Sequence, residues 1–466
     1  SVITMIKMLW GGRFGKAPKE LVFDYMSAEN ISLDQRLVRY DILGSMAHVK
    51  MLGEQGILKK EEAIEIQSAL KTVLKSHEAG KFALKKELED VHMNVEAEVT
   101  KITQFGKKMH TARSRNDQIN LDMRLYLRDE LLQVAGLVAE VQESFAKLGK
   151  NDVPMPSYTH TRVAQPITTS FWCESYVQSL GRDLERIFDA YKKVNRSPLG
   201  ACAISGTPWN ISRKRTAELL GFNGVIENEM DAISSRGEIE AEILFALSQL
   251  MAKVSRFAEE AIWFSEIGMI EIGDEYTTGS SIMPNKKNPD VLELMRGRTG
   301  RVYGNLVHVL TVQKGLIGGH NADTQETKFA VMGGLDCAKE SLAILADLVP
   351  TLQFNEKKMA EELKKGYANA TEIADMMAMN NIPFREAHEK SGKLVAQLIK
   401  EGKFIEDLKP SEINKMLGTN IDEKKIALAI SIKKPRLSKS IVVNKEMQAK
   451  IEAEIKRIEG VLGKIS

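Results

Sequence analysis

Cysteine is scarce in this chain. There are three in 466 residues, Cys173, Cys202 and Cys337, widely spaced and never in a CxxC pair. That excludes a disulfide framework and a cysteine-ligated zinc site, and it fits a reducing compartment. Neither charge sign prevails: 65 Lys plus Arg stand against 63 Asp plus Glu, a net of +2. Phosphate binders concentrate basic charge, so nucleic acid is not the expected partner. The one basic stretch, Ser431 to Lys445, carries Lys433, Lys434, Arg436, Lys439 and Lys445 without an acid and reads as a solvated face. An apolar run of about 18 residues, the length a membrane span needs, is missing. The lysine-interrupted start, Ser1 to Trp10, does not make a signal peptide. A cytoplasmic protein without a membrane partner is expected. Also missing are a GxGxxG after a strand, a GxxxxGK[ST] and an HExxH, which removes dinucleotide, P-loop and zinc-protease readings. No repeat or low-complexity tract occurs.

What the chain has is helical periodicity. From Ile243 the apolar positions run Leu247, Leu250, Val254, Phe257 and Ala261, in steps of four and three. The same spacing recurs at Leu292, Met295, Thr299, Val302, Leu306 and Val309. Each is the seam of a long helix packing nearly parallel to others. A third long helix is predicted from Ser114 to about Lys147, with Leu121, Leu125, Leu132, Val138, Val141 and Phe145 on its apolar side. Strand signals are few and short. The fold class is mostly α, in three domains: residues 1–112 mixed helix and loop, 113–363 a central bundle of long helices, and 364–466 a small helical domain.

Chemistry is concentrated in four polar loops. The most informative runs from Thr277 to Asp290, framed by Gly279, Pro284 and Pro289, which exclude an ordinary helix or central strand. Inside the frame sit Ser280, Ser281, Lys286, Lys287 and Asn288. These offer a proton acceptor, cationic anchors and an amide donor for a small molecule bearing carboxylates. A second loop, His110 to Gln118, puts Arg113 and Arg115 around Ser114, a plausible N-cap, so backbone N–H groups and guanidinium groups gather at one helix start. A third, Ser157 to Pro166, sets His160 between Thr159 and Thr161. The fourth, Gly318 to Lys328, is polar throughout and holds His320, Gln325 and Lys328. Taken singly, an arginine-rich helix start is common and a lone histidine is more often structural than catalytic.

Together these segments resemble the fumarase/aspartase superfamily, whose members release fumarate from succinyl compounds. The run Ser280-Ser281-Ile282-Met283-Pro284-Asn285-Lys286-Lys287-Asn288-Pro289 is similar to its signature loop. The pair Lys286-Lys287, the stretch Arg113-Ser114-Arg115-Asn116-Asp117-Gln118 and Ala164-Gln165-Pro166 after Tyr158-Thr159-His160 resemble the argininosuccinate lyase family within it. The likeness extends from Leu9-Trp10-Gly11-Gly12-Arg13-Phe14 to Pro383-Phe384-Arg385-Glu386-Ala387-His388.

The resemblance implies a homotetramer whose many-helix core joins the subunits and whose sites form where three subunits touch. It implies Ser280 as the base, His160 as the residue assisting leaving-group departure, and Glu293 as the carboxylate partnered with that histidine. Lys286 would stabilise the reacting carboxylate. Asn30, Ser114, Arg115, Asn116, Thr159, Asn288, His320, Gln325 and Lys328 match substrate-contacting positions, and Asp90, His92 and Asn94 belong to a stretch placed nearby. Neither metal nor organic cofactor is implied. Adenylosuccinate lyase, another fumarate-releasing lyase and a crystallin-like homologue without turnover are the competing readings. The chain departs from the family pattern at Asn30, Asn285, His320, Ala232 to Glu238 and Pro435 to Ser438. These departures bear on recognition of the arginine-like end of a substrate rather than on elimination.

Overall fold

The computed structural model describes residues 19–431, 443 and 445–465. The Leu9 to Phe14 motif, Pro435 to Ser438 and most of the basic stretch lie outside the described residues. The chain opens with α1 (Glu20–Asp34), α2 (Val38–Glu54), α3 (Lys60–Glu78) and α4 (Val91–Ile102). It then runs along α5 (Arg115–Leu148), turns through the antiparallel pair β1 (Pro154–Thr159) and β2 (Arg162–Thr168), and returns along α6 (Thr169–Val194). Two short helices, α7 (Arg213–Leu219) and α8 (Glu229–Ser234), lead into α9 (Glu238–Glu266).

Past α9 come β3 (Ile270–Glu271), β4 (Thr278–Gly279) and β5 (Lys287–Asn288), then α10 (Asp290–Gln313), α11 (Thr327–Leu348) and β6 (Gln353–Phe354). Strands β3 and β6 pair, as do β4 and β5, both antiparallel. The helices α12 (Glu356–Lys365), α13 (Ala370–Met379), α14 (Phe384–Glu401), α15 (Pro410–Leu417) and α16 (Glu423–Ala429) follow, and α17 (Lys445–Leu462) ends the described chain.

The bundle consists of α5, α6, α9, α10 and α11, each packed against several of the others. The seams expected at Ile243 to Ala261 and Leu292 to Val309 lie on α9 and α10. Their apolar side chains are buried, apart from a half-buried Leu306. The third expected helix is α5, and all six of its named apolar residues are in the core. Sequence spacing had not singled out α6 and α11. Both are buried by this same bundle, and Leu244 fits so closely over α11 that a Cβ on Gly334 would come within 2.5 Å of its side chain.

Apolar residues of α2, α3 and α4 join the same core, as do Ile451, Ile458 and Leu462 of α17. A separate, smaller core unites α13 to α16 around Ile373, Met377, Leu394, Leu398 and Ile413. Among the described residues no helix is long and apolar enough to cross a membrane.

Along its outer side α10 meets no neighbour among the described residues. Leu294, Tyr303, Val307 and Leu310 are exposed there, and a Cβ added at Gly297, Gly300 or Gly304 would meet no atom within 4 Å. The seams read from the sequence are therefore covered within one chain. The surface that lacks a neighbour is the opposite, glycine-bearing side of α10.

Candidate functional site

Residues of the four loops gather at three places. The first is at the amino ends of α5 and α9. Ser114 caps α5: its Oγ accepts from the Asn116 N–H at 3.2 Å, and its own N–H donates to Asp117 Oδ1 at 3.0 Å. This capping box leaves Arg115 in the first turn. Arg115 donates to Asp90 Oδ2 at 2.7 Å and Glu89 Oε2 at 3.1 Å. Burial works against the Arg115 charge, but the two carboxylates outweigh it and raise its pKa. Asn116 Nδ2 donates to the Ala203 carbonyl at 3.2 Å.

Lys328, in the first turn of α11, is buried and donates to Asp34 Oδ1 at 2.7 Å and to Asn30 Oδ1. Burial lowers its pKa, with Asp34 acting the other way. Gln325 and His320 lie on the approach to α11. Burial and the charge of Arg236 lower the His320 pKa. Arg236 itself is buried one residue before α9 caps at Gly237 and donates to the Thr324 carbonyl at 3.2 Å. His92 is nearby but buried, its Nδ1 held 2.7 Å from Asp41 Oδ1. Asn94 closes a turn instead, bonding to both the N–H and the carbonyl of Lys85 and to the Asp90 carbonyl.

The second place is the tip of the β1–β2 hairpin. The register pairs Thr159 with Arg162, so His160 and Thr161 form a two-residue turn, with φ of 53° and 58°. Both are left-handed, as this turn type requires, and neither is the glycine or asparagine that adopts that conformation at least cost. Thr159 and His160 are exposed. The strand behind them is anchored by Tyr158, whose ring centroid is 4.5 Å from that of Trp263 on α9.

The third place is the Ser280 loop, closed at its base by β4 and β5 beyond the carboxyl end of α9. Ser280 Oγ accepts from the Met283 N–H at 3.0 Å and the Ile282 N–H at 3.3 Å. Both donors follow the serine in the chain. Thr278 donates to Asp290 Oδ2. Lys287 donates to the Ile272 carbonyl at 2.6 Å and pairs with Asp274 at 2.7 Å. Lys286 has no side-chain partner among the described residues. It lines an open cleft of about 1040 Å³ with Asn285, Asn288, Glu293 and Glu266. Glu293 is in the first turn of α10 and exposed.

These places are far apart in one chain. The first adjoins the start of α9 and the other two its end, and α9 has 29 residues, roughly 44 Å at 1.5 Å per residue. The structure unites Asn30, Ser114, Arg115, Asn116, Gln325 and Lys328 at one end. It leaves Thr159 and His160 on a separate hairpin and Ser280, Lys286, Asn288 and Glu293 in a separate loop. Asp34 and Glu89 had not been named, and Arg236 had entered only within the departing run Ala232 to Glu238. Asp34 could have been found: four residues after Asn30, it shares that residue's face of α1.

A mostly helical chain with a bundle of this kind and a Gly-Ser-Ser loop between two of its long helices is a lyase of the fumarase/aspartase type. Its fold matches an EDDS lyase variant with bound fumarate, with a TM-score of 0.78 at 26% identity over 97% of this chain and 94% of that one. It also matches class II fumarase from Schistosoma mansoni, with a TM-score of 0.73 over 85% and 90%. At 16% identity that likeness concerns the fold alone. The Lyase family profile matches residues 16–304, and the argininosuccinate lyase C-terminal profile matches residues 367–434. The argininosuccinate lyase of Desulforamulus reducens is 45% identical over 413 residues, covering 88% of this chain and 89% of that protein. The chain belongs to the argininosuccinate lyase family.

Proposed function

We propose that this protein catalyses the reversible β-elimination of argininosuccinate to arginine and fumarate, with Ser280 as base. Elimination from a succinyl group removes a weakly acidic proton from the carbon next to a carboxylate, and that carboxylate gains a second negative charge. Serine can take the proton only where its oxyanion is stabilised. The two N–H donors on Ser280 Oγ, with an unpaired Lys286 in the same loop, are the observation that carries this reading. Once the proton is removed, the carbon–nitrogen bond breaks, the electron pair leaves with the guanidino nitrogen, and His160, paired with Glu293, assists that departure. Arg115, Asn116, Lys328, Gln325, His320, Asn30, Ser114, Thr159, Asn288 and His92 hold the carboxylates and the arginine-like end.

The three places come together between subunits of a homotetramer, since they are roughly 44 Å apart along one α9. The division at residues 112 and 363 and a cytoplasmic setting belong to the same reading, although α17 packs back on the bundle. The argininosuccinate lyase C-terminal profile over residues 367–434 favours argininosuccinate over adenylosuccinate, and the presence of Ser280, His160 and Lys286 disfavours a homologue without turnover. The test is to follow fumarate absorbance with argininosuccinate and adenylosuccinate supplied side by side. Fumarate from the first alone is expected, and release only from the second, or from neither, would defeat the proposal.

A further inference from the structure

Behind the Arg115 end of the candidate site, three helices meet on buried polar side chains. Asp41 of α2, His92 of α4 and Asp122 of α5 are all inaccessible or nearly so. His92 Nδ1 is 2.7 Å from Asp41 Oδ1 and 3.5 Å from Asp122 Oδ2, and Gln118 Nε2 donates to Asp41 Oδ1 at 2.6 Å. Arg113 is buried nearby and donates to Ser45 Oγ at 3.0 Å. Arg113 Nε is itself buried without a hydrogen-bond partner among the described residues. Asp41 Oδ2, both Asp122 oxygens and Gln118 Oε1 are likewise buried without a hydrogen-bond partner among the described residues. Buried acceptors are rarely left so, and this many together call for a cation or a proton.

The Asp41, His92 and Asp122 ligand atoms lie within 4.8 Å of one another, a spacing that a divalent ion could span. However, 2.7 Å is the length of a charge-assisted hydrogen bond, and it commits His92 Nδ1, the atom a metal would need, to Asp41. A proton fits better, because two carboxylates side by side in a dry site do not both ionise. We propose that Asp122 stays protonated at neutral pH and donates that proton to Asp41, making Asp122 and Asp41 positioning residues for His92 and for the first turn of α4.

The surroundings agree. Burial raises the Asp122 pKa well above the carboxylate range, reinforced by the charge of Asp41 and of Asp34 and opposed by Arg113. Burial also pushes Asp41 up, but the bond and charge of His92, with Arg113 and Gln118, bring it below its usual value. Burial lowers His92, and Asp41, Asp90 and Asp34 more than restore it. Glu96 of α4 and His110 of the segment between α4 and α5 also feel Asp41. The arrangement is an imidazolium, one carboxylate and one carboxylic acid, with Arg113 alongside. It ties α4 to α2 and α5 two residues after Asp90, which holds Arg115. The effect on turnover therefore rests on the proposed role of Arg115 and His92.

Asp122→Asn replaces the acid with a neutral donor of the same shape, and Asp122→Leu removes the donor. An unfolded Asp loses its proton above about pH 4, whereas folded Asp122 keeps it, so wild-type stability is drawn down as pH rises. The Asn variant lacks that penalty. Its Tm should exceed that of wild type by a gap that widens from about pH 5.5 to 8.5. Asp122→Leu should lower Tm throughout and raise KM at least about threefold, with Asn restoring KM.

A gap flat in pH, or an Asn variant destabilised as much as Leu, would overturn the shared proton. So would a rise in the Tm of chelator-treated wild type on adding Mn²⁺ or Zn²⁺ that Asp122→Asn abolishes. The melting measurements need no turnover. A pH-dependent gap without fumarate release would therefore fault the reaction assignment and leave the shared proton standing.

Discussion

Ser280 and Ser281 are neighbouring hydroxyls in unequal surroundings. Ser280 Oγ receives two backbone N–H groups, while Ser281 is exposed and has no side-chain partner among the described residues. Donors pointed at an oxygen favour its anion, so Ser280 is the better base. Ser280→Ala should lower kcat at least about 10³-fold with little change in substrate binding, and Ser281→Ala should be milder. Steady-state kinetics showing the reverse order would mean the base is misassigned. The two lysines also differ. Lys287 is tied to Asp274 and the Ile272 carbonyl, whereas Lys286 lines the cleft without a side-chain partner among the described residues. Because the anchored carboxylate gains charge in the transition state, Lys286→Met should cost more in kcat/KM than in KM alone. Lys287→Met should act through the loop's stability. A Lys286→Met enzyme with near-normal kcat/KM would remove that residue from the chemistry.

At the scale of elements, α10 presents a test of assembly. Its inner seam is satisfied within the chain, and its outer side carries Gly297, Gly300 and Gly304 with open space over each. Mid-helix glycine costs roughly 0.5–1 kcal/mol relative to alanine, so three on one face of a packed helix imply a close neighbour that a side chain would displace. Gly300→Leu should leave the isolated subunit folded and break the assembly, seen as a smaller species in sedimentation with activity lost. A full-size, active Gly300→Leu protein would argue against that face as the contact.

Elements differed in how far they could be read from sequence. The steps of three and four on α9 and α10 held through about five turns, and periodicity that long has no strand counterpart. Helix α11 carries Gly333-Gly334 mid-length, where Leu244 packs tightly, and composition reads such a pair as a break. The β1–β2 hairpin was unreadable because a His-Thr pair occupies left-handed positions that usually signal themselves with glycine or asparagine. The site was legible as loops and not as partners. Ser280, Arg115 and Lys328 announce themselves, but the pairing of Arg115 with Glu89 and of Lys328 with Asp34 depends on how elements distant in sequence come together.

For the whole molecule, the decisive quantity is the distance between half-sites. His160 and Ser280 lie near one end of α9 and Arg115 and Lys328 near the other, so no single copy assembles the full set. The proposed shared site draws His160 and Ser280 from different chains as well. Inactive His160→Asn and Ser280→Ala proteins, dissociated and reassembled in equal amounts, should then regain activity. Random assembly leaves about one quarter of sites with both native residues, so recovery should approach that fraction of wild-type turnover. No recovery from properly reassembled tetramers would place both residues on one chain.

The length of α9 takes on a further meaning in that arrangement. In the proposed tetramer the helix would work as a ruler, setting the interval at which one subunit delivers its two contributions to two different catalytic centres. Adding a single turn, about 5.4 Å, would leave the seam's 3–4 rhythm nearly in phase and the subunit's own packing tolerable. Yet the same error would be repeated at every centre of the assembly. Drift in the length of this helix is therefore limited by the symmetry of its neighbours and not by the stability of the chain that carries it.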